Sequence, residues 1–445
     1  MAKQLFGTDG IRGTAGAFPL DPATVHAFGM ALGSVASALA SSPQVLIGMD
    51  TRESSPWIAA QVAGGLARRG VRATSAGVIT TPGVAYLTKT DEFVAGVMIS
   101  ASHNPFADNG IKVFGHSGYK LPDDEEHEIE EAMFKLLEKG VDPQPLGIPA
   151  DEGLDREYVD HLLSTLPVSL GGLRVAADCG NGAASELAPG LLRRAGAEVI
   201  ATHRAPNGRN INLNCGALHI ESVRETVLAE GADMGVAFDG DGDRAIFVAR
   251  SGKVVDGDAV MLMVSRALRA AGKLPGNTVV ATVMSNLGLE KALAGDGVRM
   301  LRTPVGDKYV LEEMLRSGAA LGGEQSGHVI FSEHATTGDG MLTALRVFEI
   351  ARRSGLGLDE LSSDLTVYPQ RLVNVRVREK KPLAEMPSVA REVKACEEAL
   401  AGLGRVLVRF SGTEALARVM VEGPELAQVN EFTERIAGAI QREIG

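Results

Sequence analysis

Residues 44–79 read QVLIGMDTRESSPWIAAQVAGGLARRGVRATSAGVI. The apolar run QVLIGMD has the length of a buried strand, and the polar loop TRES follows it. A helix is then predicted, with Ser55 as its N-cap and Pro56 at the first helical position. That helix stops at ARRG, and a second short strand, VRATSAGVI, begins at once. Strand, loop, helix and strand in this order require a parallel crossover, expected to be right-handed.

The same grammar recurs twice. LRVAADCGNG at 173–182 leads into a helix ending LLRRAG and the strand AEVIAT; NTVVATVMSN at 277–286 leads into a helix ending ALAGDG and the strand VRMLR. Each unit is followed by an apolar strand, a short polar loop and another apolar strand. The three loops are SASHNPFADNG after FVAGVMI, DGDGDR after ADMGVAF, and GEQSGH between GAAL and VIF. Corresponding loops of repeated units can serve one site. After about residue 367 the pattern changes to an alternating strand LVNVRVRE, a helix over 386–401, strands RVLVRF and ARVMVEG, and a closing helix from Pro424. The expected fold is therefore α/β, with three related α/β/α units of mixed sheets and a C-terminal α+β module. The boundaries fall at 1–155, 156–253, 254–366 and 367–445. The charged run DDEEHEIEEAMFKLLEKG at 123–140 fits a solvated amphipathic helix with no chemical role.

A chain of 445 residues, 45% apolar and 22% charged with 53 glycines, suits a folded, loop-rich protein of several domains. The net charge of -12 argues against a general nucleic-acid binder, so an anionic ligand needs a local cluster of cations. Three cysteines, without C-x-x-C spacing, indicate neither a disulfide framework nor a zinc knuckle and favour a reducing cytoplasm. The start, MAKQLFGTDGIRG, has no apolar h-region, and no uninterrupted apolar run reaches the ~18 residues of a membrane span.

Asp239, Asp241 and Asp243 alternate with Gly240 and Gly242. Alternation puts the three carboxylates on one side, glycine lets the loop curl, and their mutual repulsion calls for a cation. Oxygen-only donors select a hard ion, Mg²⁺ over Zn²⁺. A calcium EF-hand loop is excluded, because Arg244 and Arg250 stand where it needs glycine and glutamate. The stretch MISASHNP at 98–105 ends an apolar approach in Ser100, Ser102, His103 and Asn104, stopped by Pro105. A phosphorylated Ser102 would supply both a metal ligand and a transferable phosphoryl group, with Arg244 neutralising developing charge. No G-x-S-x-G or G-x-x-x-x-G-K-[ST] motif is present, which leaves phosphoryl transfer without a bound nucleotide.

Further cations and sugar-type contacts complete the set. In RFSGTEALAR, Arg409, Ser411, Gly412, Thr413 and Arg418 form a phosphate cradle of two guanidinium groups, hydroxyls and a glycine turn. In GEQSGH, Glu324 accepts from neighbouring hydroxyls, Ser326 donates or accepts, and His328 suits proton transfer near neutrality. Lys112 lies ten residues past Ser102 and is placed to lend charge or move a proton.

Together these motifs resemble the α-D-phosphohexomutase superfamily, and within it the bacterial subgroup acting on glucosamine phosphates. The resemblance runs nearly end to end: GTDGIRG at 7–13, ISASHNPFADNGIK at 99–112, FDGDGDR at 238–244, VGDKYV at 305–310, GEQSGH at 323–328 and RFSGTEALARVMVEG at 409–423. It implies four domains around a central cleft, the last TATA-binding-protein-like. It implies a phosphoserine at Ser102 and one Mg²⁺ per site held by Ser102, Asp239, Asp241 and Asp243. It also implies sugar contacts from Glu324 and Ser326, and a distal phosphate on Arg409, Ser411, Gly412, Thr413 and Arg418. Arg12, His103 and Lys112 match positions near the phosphoserine, and His328 a proton-transfer position. The implied reaction interconverts glucosamine 6-phosphate and glucosamine 1-phosphate through a 1,6-bisphosphate, for UDP-N-acetylglucosamine and cell-wall synthesis. A phosphomannomutase or phosphoglucomutase of the same superfamily is the alternative, and a silent sugar-phosphate binder or a metal-dependent phosphatase are more distant ones. The expected partner is a phosphorylated amino sugar, with no nucleic acid and no membrane; monomer and homodimer both stay open. Four positions depart from the usual pattern: Ala415 after SGTE, Gly83 in TTPG, and the pair Ala217-Leu218 after Cys-Gly.

Overall fold

A computed structural model describes residues 4–7, 9–89, 93–411 and 415–445. The chain divides into two compact units, Met1–Met284 with Val298–Ser363, and Ser285–Gly297 with Asp364–Gly445.

The first unit holds three sheets, one for each repeat of the strand, helix and strand pattern. In a six-stranded sheet, Gln44–Met49 pairs in parallel with Arg72–Val78 and with Ala95–Ile99. Ala95–Ile99 turns back antiparallel into Asp108–Gly115, and Gly10–Thr14 and Phe6–Gly7 extend that edge. The five-stranded sheet repeats the plan: Arg174–Asp178 is parallel to Glu198–Thr202 and Met234–Phe238, and Met234–Phe238 returns as Ala245–Ala249. The four-stranded sheet has Thr278–Thr282 parallel to Arg299–Thr303 and Leu321–Gly323, with Val329–Phe331 as the return. Each expected polar loop therefore joins two antiparallel strands, beside the carboxyl ends of parallel ones, where α/β sheets bind ligands.

The helix over Ser55–Ala67 begins one residue earlier than expected: Ser54 is its N-cap and Pro56 its second residue. Ser55 is free of capping because its hydroxyl donates to Asp50 Oδ1 at 2.8 Å. The helix Pro22–Leu39 is long and apolar enough to cross a membrane by length and composition, a feature its polar interruptions conceal in the sequence. Here it lies in the core, where Phe28, Ala31 and Leu32 pack in one cluster with Ile58, Val62, Leu66 and the strand residues Val45 and Ile47. The charged helix Asp123–Glu138 is solvated on one face only. Its Glu130 is buried and accepts the backbone N–H groups of Gln4, Leu5 and Phe6 at 2.7–3.1 Å, anchoring the amino-terminal strand.

The second unit is a three-stranded antiparallel sheet with Leu416–Glu422 between Gln370–Arg376 and Arg405–Phe410. Helices Pro387–Leu400 and Leu426–Ile444 cover it, with Val389, Cys396, Val419, Val421, Phe432, Ile436 and Ile440 in the core. The helix Leu287–Gly295 also belongs to this unit, and its Leu287 N–H donates to Glu422 Oε1 at 2.9 Å.

Candidate active site

The loop after Ala95–Ile99 places Ser102 in a left-handed backbone conformation, φ 51°, uncommon for a residue with a Cβ. Several groups hold it there. The Ser102 carbonyl accepts from Arg52 Nη2 at 3.1 Å and from Asn212 Nδ2 at 2.9 Å, and its N–H donates to Ser100 Oγ at 2.9 Å. Ser100 Oγ donates in turn to Asp50 Oδ2 at 2.5 Å. Arg52 is fully buried, paired to Asp50, and donates a further bond to the Asn104 carbonyl at 2.6 Å. Arg52 comes from the TRES loop of the first crossover, and Asn212 from the segment after Glu198–Thr202. Neither was singled out from sequence, because their partners lie 50 and 110 residues away.

Ser102 Oγ donates to Asp239 Oδ2 at 2.6 Å, joining the serine loop to the acidic loop. The two loops touch so closely that a Cβ on Gly240 would stand 2.5 Å from the Ser102 carbonyl oxygen. Carboxylate oxygens of Asp239, Asp241 and Asp243 lie within 4.8 Å of one another, all buried. Asp241 Oδ1 and Asp243 Oδ1 are buried without a hydrogen-bond partner. Buried carboxylate oxygens normally have donors, so two orphans beside a third carboxylate fit a hard divalent cation among oxygen ligands. Burial, then the charges of Asp243 and Asp241, push the Asp239 carboxyl well above its ordinary range. Burial opposes the charge of Asp243 too, but Lys112, His328 and Arg244 together outweigh it and hold that carboxyl well below the usual range.

Lys112, 1% exposed, projects from Asp108–Gly115 and lies 3.0 Å from Asp241 Oδ2, 3.1 Å from Asp9 Oδ2 and 3.6 Å from Asp243 Oδ2. Burial disfavours its charge, yet these carboxylates raise its pKa above the usual lysine value, so it stays a cation. Arg12 pairs with Asp9 at 2.5 Å and donates to the Ala101 carbonyl at 3.3 Å. Lys120 bridges Asp9 to Asp307. Asp9, Lys120 and Asp307 were not among the expected site residues. His103 Nδ1 lies 3.4 Å from Ser102 Oγ; burial, with Arg244 and Arg12, lowers its pKa to about 4 and keeps it neutral. Arg244 lies 3.8 Å from Asp243, and its backbone N–H donates to Asp239 Oδ1 at 3.1 Å.

The GEQSGH loop meets the acidic loop through backbone. Ala245 N–H donates to the Gly327 carbonyl at 3.1 Å, and Gly340 N–H donates to the Gly242 carbonyl at 3.0 Å. A Cβ on Gly340 would stand 2.5 Å from the Arg244 carbonyl oxygen. Glu324 accepts from Gly306 N–H at 3.2 Å and from the exposed Ser326 hydroxyl at 3.3 Å. Buried His328 has both ring nitrogens engaged: Nδ1 is 3.6 Å from Asp243 Oδ2, and Nε2 accepts from Gly338 N–H at 3.0 Å. Ser102, His103, Arg12, Lys112, the three aspartates, Arg244, Glu324, Ser326 and His328 all belong to the first unit.

Within the second unit, Arg409 and Arg418 face each other across the antiparallel ladder. Like charges directly opposite are unfavourable, and an anion between them would relieve that repulsion. Burial and the Arg418 charge lower the pKa of Arg409. Lys380 Nζ donates to the Ser411 carbonyl at 2.6 Å, a third cation not picked out from sequence. Gly412 and Thr413 lie outside the described residues.

Four family models, described as Phosphoglucomutase/phosphomannomutase alpha/beta/alpha domains I, II and III and C-terminal domain, match residues 3–139, 156–252, 256–368 and 372–439. The chain belongs to this family. It is 66% identical over 445 residues to the phosphoglucosamine mutase of Solibacter usitatus (strain Ellin6076), covering 100% of both chains. With that of Koribacter versatilis (strain Ellin345) it shares 53% over 452 residues, covering 100% of this chain and 98% of the relative. A phosphoglucomutase/phosphomannomutase family protein from Burkholderia thailandensis superposes with a TM-score of 0.81 at 23% identity, covering 99% and 98% of the two chains. The Aspergillus fumigatus N-acetylphosphoglucosamine mutase, solved with GlcNAc-6P and magnesium, gives 0.70 at 19% identity over 99% and 96%. The chain is thus an enzyme of the mutase class with an α/β multidomain fold and a C-terminal domain, grouped with the phosphoglucosamine mutases.

Proposed function

We propose that this enzyme interconverts glucosamine 6-phosphate and glucosamine 1-phosphate, using Ser102 as the carrier of the phosphoryl group. The observation that carries the reading is the 2.6 Å contact of Ser102 Oγ with Asp239, beside the orphaned oxygens of Asp241 and Asp243. Phosphoserine gives its phosphoryl to O1 of the sugar: the P–Oγ bond breaks, a P–O1 bond forms, the O1 proton ends on Ser102 Oγ, and a 1,6-bisphosphate results. The 6-phosphoryl then passes to Ser102 Oγ as the P–O6 bond breaks, the Oγ proton ends on O6, and glucosamine 1-phosphate leaves, restoring the phosphoserine. Ser102, Asp239, Asp241 and Asp243 would hold one Mg²⁺, which supplies charge neutralisation for the transferring phosphoryl group.

The chain's own groups divide the remaining work. Lys112, kept cationic by three carboxylates, offsets the negative charge of the cluster. Arg12 and Arg244 add guanidinium charge near Ser102, and neutral His103 stands beside the hydroxyl without adding to it. His328 orients Asp243, while Glu324 and Ser326 present oxygens for sugar hydroxyls. Arg409, Ser411, Gly412, Thr413 and Arg418 supply the phosphate-binding group. Four domains with the boundaries at 155, 253 and 366, a cytoplasmic setting and a product destined for amino-sugar nucleotides belong to the same reading.

A competition assay across glucosamine, glucose and mannose phosphates tests it. Glucosamine 6-phosphate is expected to be favoured in kcat/KM by about tenfold or more. A preference for mannose 6-phosphate would reject the substrate, and phosphate release exceeding isomer formation would reject the mutase chemistry.

Arg52 gives a second test. Arg52→Lys keeps the buried charge beside Asp50 but loses the planar fork that reaches the Ser102 and Asn104 carbonyls. Turnover is expected to fall about 100-fold, the cost of a misplaced reacting group, with KM changing little. Steady-state kinetics beside a circular dichroism melt checks this, and an unchanged kcat would refute the positioning role.

A further inference from the structure

A separate cluster of metal-ligating side chains lies in the five-stranded sheet, apart from the acidic loop. Asp178 ends the strand Arg174–Asp178, and His203 follows its parallel neighbour Glu198–Thr202. Ligand atoms of Asp178, His203 and Cys215 lie within 4.8 Å of one another, with Asp178 and Cys215 buried and His203 partly so. Spacing rules miss this set because its members come from three separate segments.

Three features show a built arrangement. Gly180 N–H donates to Asp178 Oδ1 at 2.9 Å, which leaves Oδ2 for the cluster. His203 is held in a left-handed conformation, φ 46°, sparsely populated for a residue with a Cβ. Its Nδ1 faces two oxygens at once, Asp178 Oδ2 at 3.1 Å and Ser222 Oγ at 3.3 Å. One ring nitrogen offers a single proton or a single lone pair, so it cannot satisfy both oxygens fully.

We propose that Asp178, His203 and Cys215 form a second metal site, selective for Zn²⁺ or a similar borderline-soft ion. Sulfur, nitrogen and oxygen donors together suit zinc and disfavour magnesium. On binding, the Cys215 S–H proton leaves to solvent and the sulfur becomes a thiolate ligand. The imidazole proton moves through water from Nδ1 to Nε2, freeing the Nδ1 lone pair. Two anionic ligands then balance the dication. Because a proton is released, binding tightens as pH rises. The ion would brace the segment through Asn181, whose N–H donates to the His203 carbonyl at 2.7 Å and whose carbonyl accepts from Thr51 Oγ1 at 2.6 Å.

Full-length protein stripped of transition metals and held in excess Mg²⁺ is titrated with Co²⁺ and followed in the near ultraviolet. One equivalent is expected to bind with a thiolate-to-metal charge-transfer band that Zn²⁺ displaces. Cys215→Ser should lose the band while keeping its circular dichroism spectrum and Mg²⁺-supported turnover. His203→Ala should weaken Co²⁺ binding by about tenfold or more. A band absent from the wild-type protein, a band that survives Cys215→Ser, or Co²⁺ uptake that only Asp241→Asn removes, would each overturn the assignment. None of these outcomes touches the mutase reading, which the substrate competition tests by itself.

Discussion

Ser102→Ala is expected to lower turnover by on the order of 10⁴-fold or more, the scale seen when a covalent nucleophile is removed. The hydroxyl carries no fold-level duty large enough to confuse the result. Its donor contact is to Asp239 Oδ2, while the loop is held through the Ser102 backbone by Arg52, Asn212 and Ser100. Alanine meets the same left-handed φ as serine, so the stability cost should be about 1–3 kcal/mol, that of leaving buried Asp239 Oδ2 without its donor. Intact mass with site localisation should find one phosphate on Ser102 in the wild-type protein and none in the variant. Retained isomerisation by the alanine variant would remove Ser102 from the chemistry altogether.

Asp239→Asn separates catalysis from folding. Turnover is expected to fall about 1000-fold, equivalent to roughly 4 kcal/mol of charge stabilisation at the phosphoryl group. Stability should move the other way in Mg²⁺-free protein. The Asp239 pKa lies above its unfolded value, owing to burial and then to Asp243 and Asp241. Charging Asp239 therefore opposes folding; the penalty is absent below the unfolded pKa, grows as pH rises towards the folded one, and is complete above it. At neutral pH the Mg²⁺-free variant should melt above Mg²⁺-free wild-type protein, with the gap closing in acid. Added Mg²⁺ should raise the wild-type melting temperature and leave the variant's nearly unchanged. Equal Mg²⁺-induced shifts in both proteins would show that the cation does not sit on this carboxylate.

The parts of this architecture set by local pattern could be read from the chain. The three crossovers follow from apolar runs, turn residues and helix-entry signals lying within about thirty residues of one another. The acidic loop was legible because alternating Asp and Gly leave few other physical readings. What stayed hidden was the support behind it. Asp50 and Arg52 look like ordinary loop residues until Ser100 and the Ser102 carbonyl arrive from another strand. Lys120 joins Asp9 to Asp307 across 111 and 187 residues, and no periodicity links them. Glu130 was one acid among many in a helix read as solvated and amphipathic, and nothing local marks it as the one over which three backbone N–H groups close. Ser55 does not cap its helix because its hydroxyl goes to Asp50, a contact that capping statistics do not contain, and Ser54 takes the N-cap position without a side-chain cap bond.

The near-contact of Gly240 with the serine loop and of Gly340 with the Arg244 carbonyl shapes how such a catalyst can be redesigned. A single methyl at either place would wedge apart backbones in direct contact, so a mutational scan should find both positions intolerant although neither side chain has an atom to offer a sugar. Libraries aimed at a new hexose should freeze both glycines and diversify the solvent-facing neighbours of Glu324, where side-chain volume can change without prying the floor open.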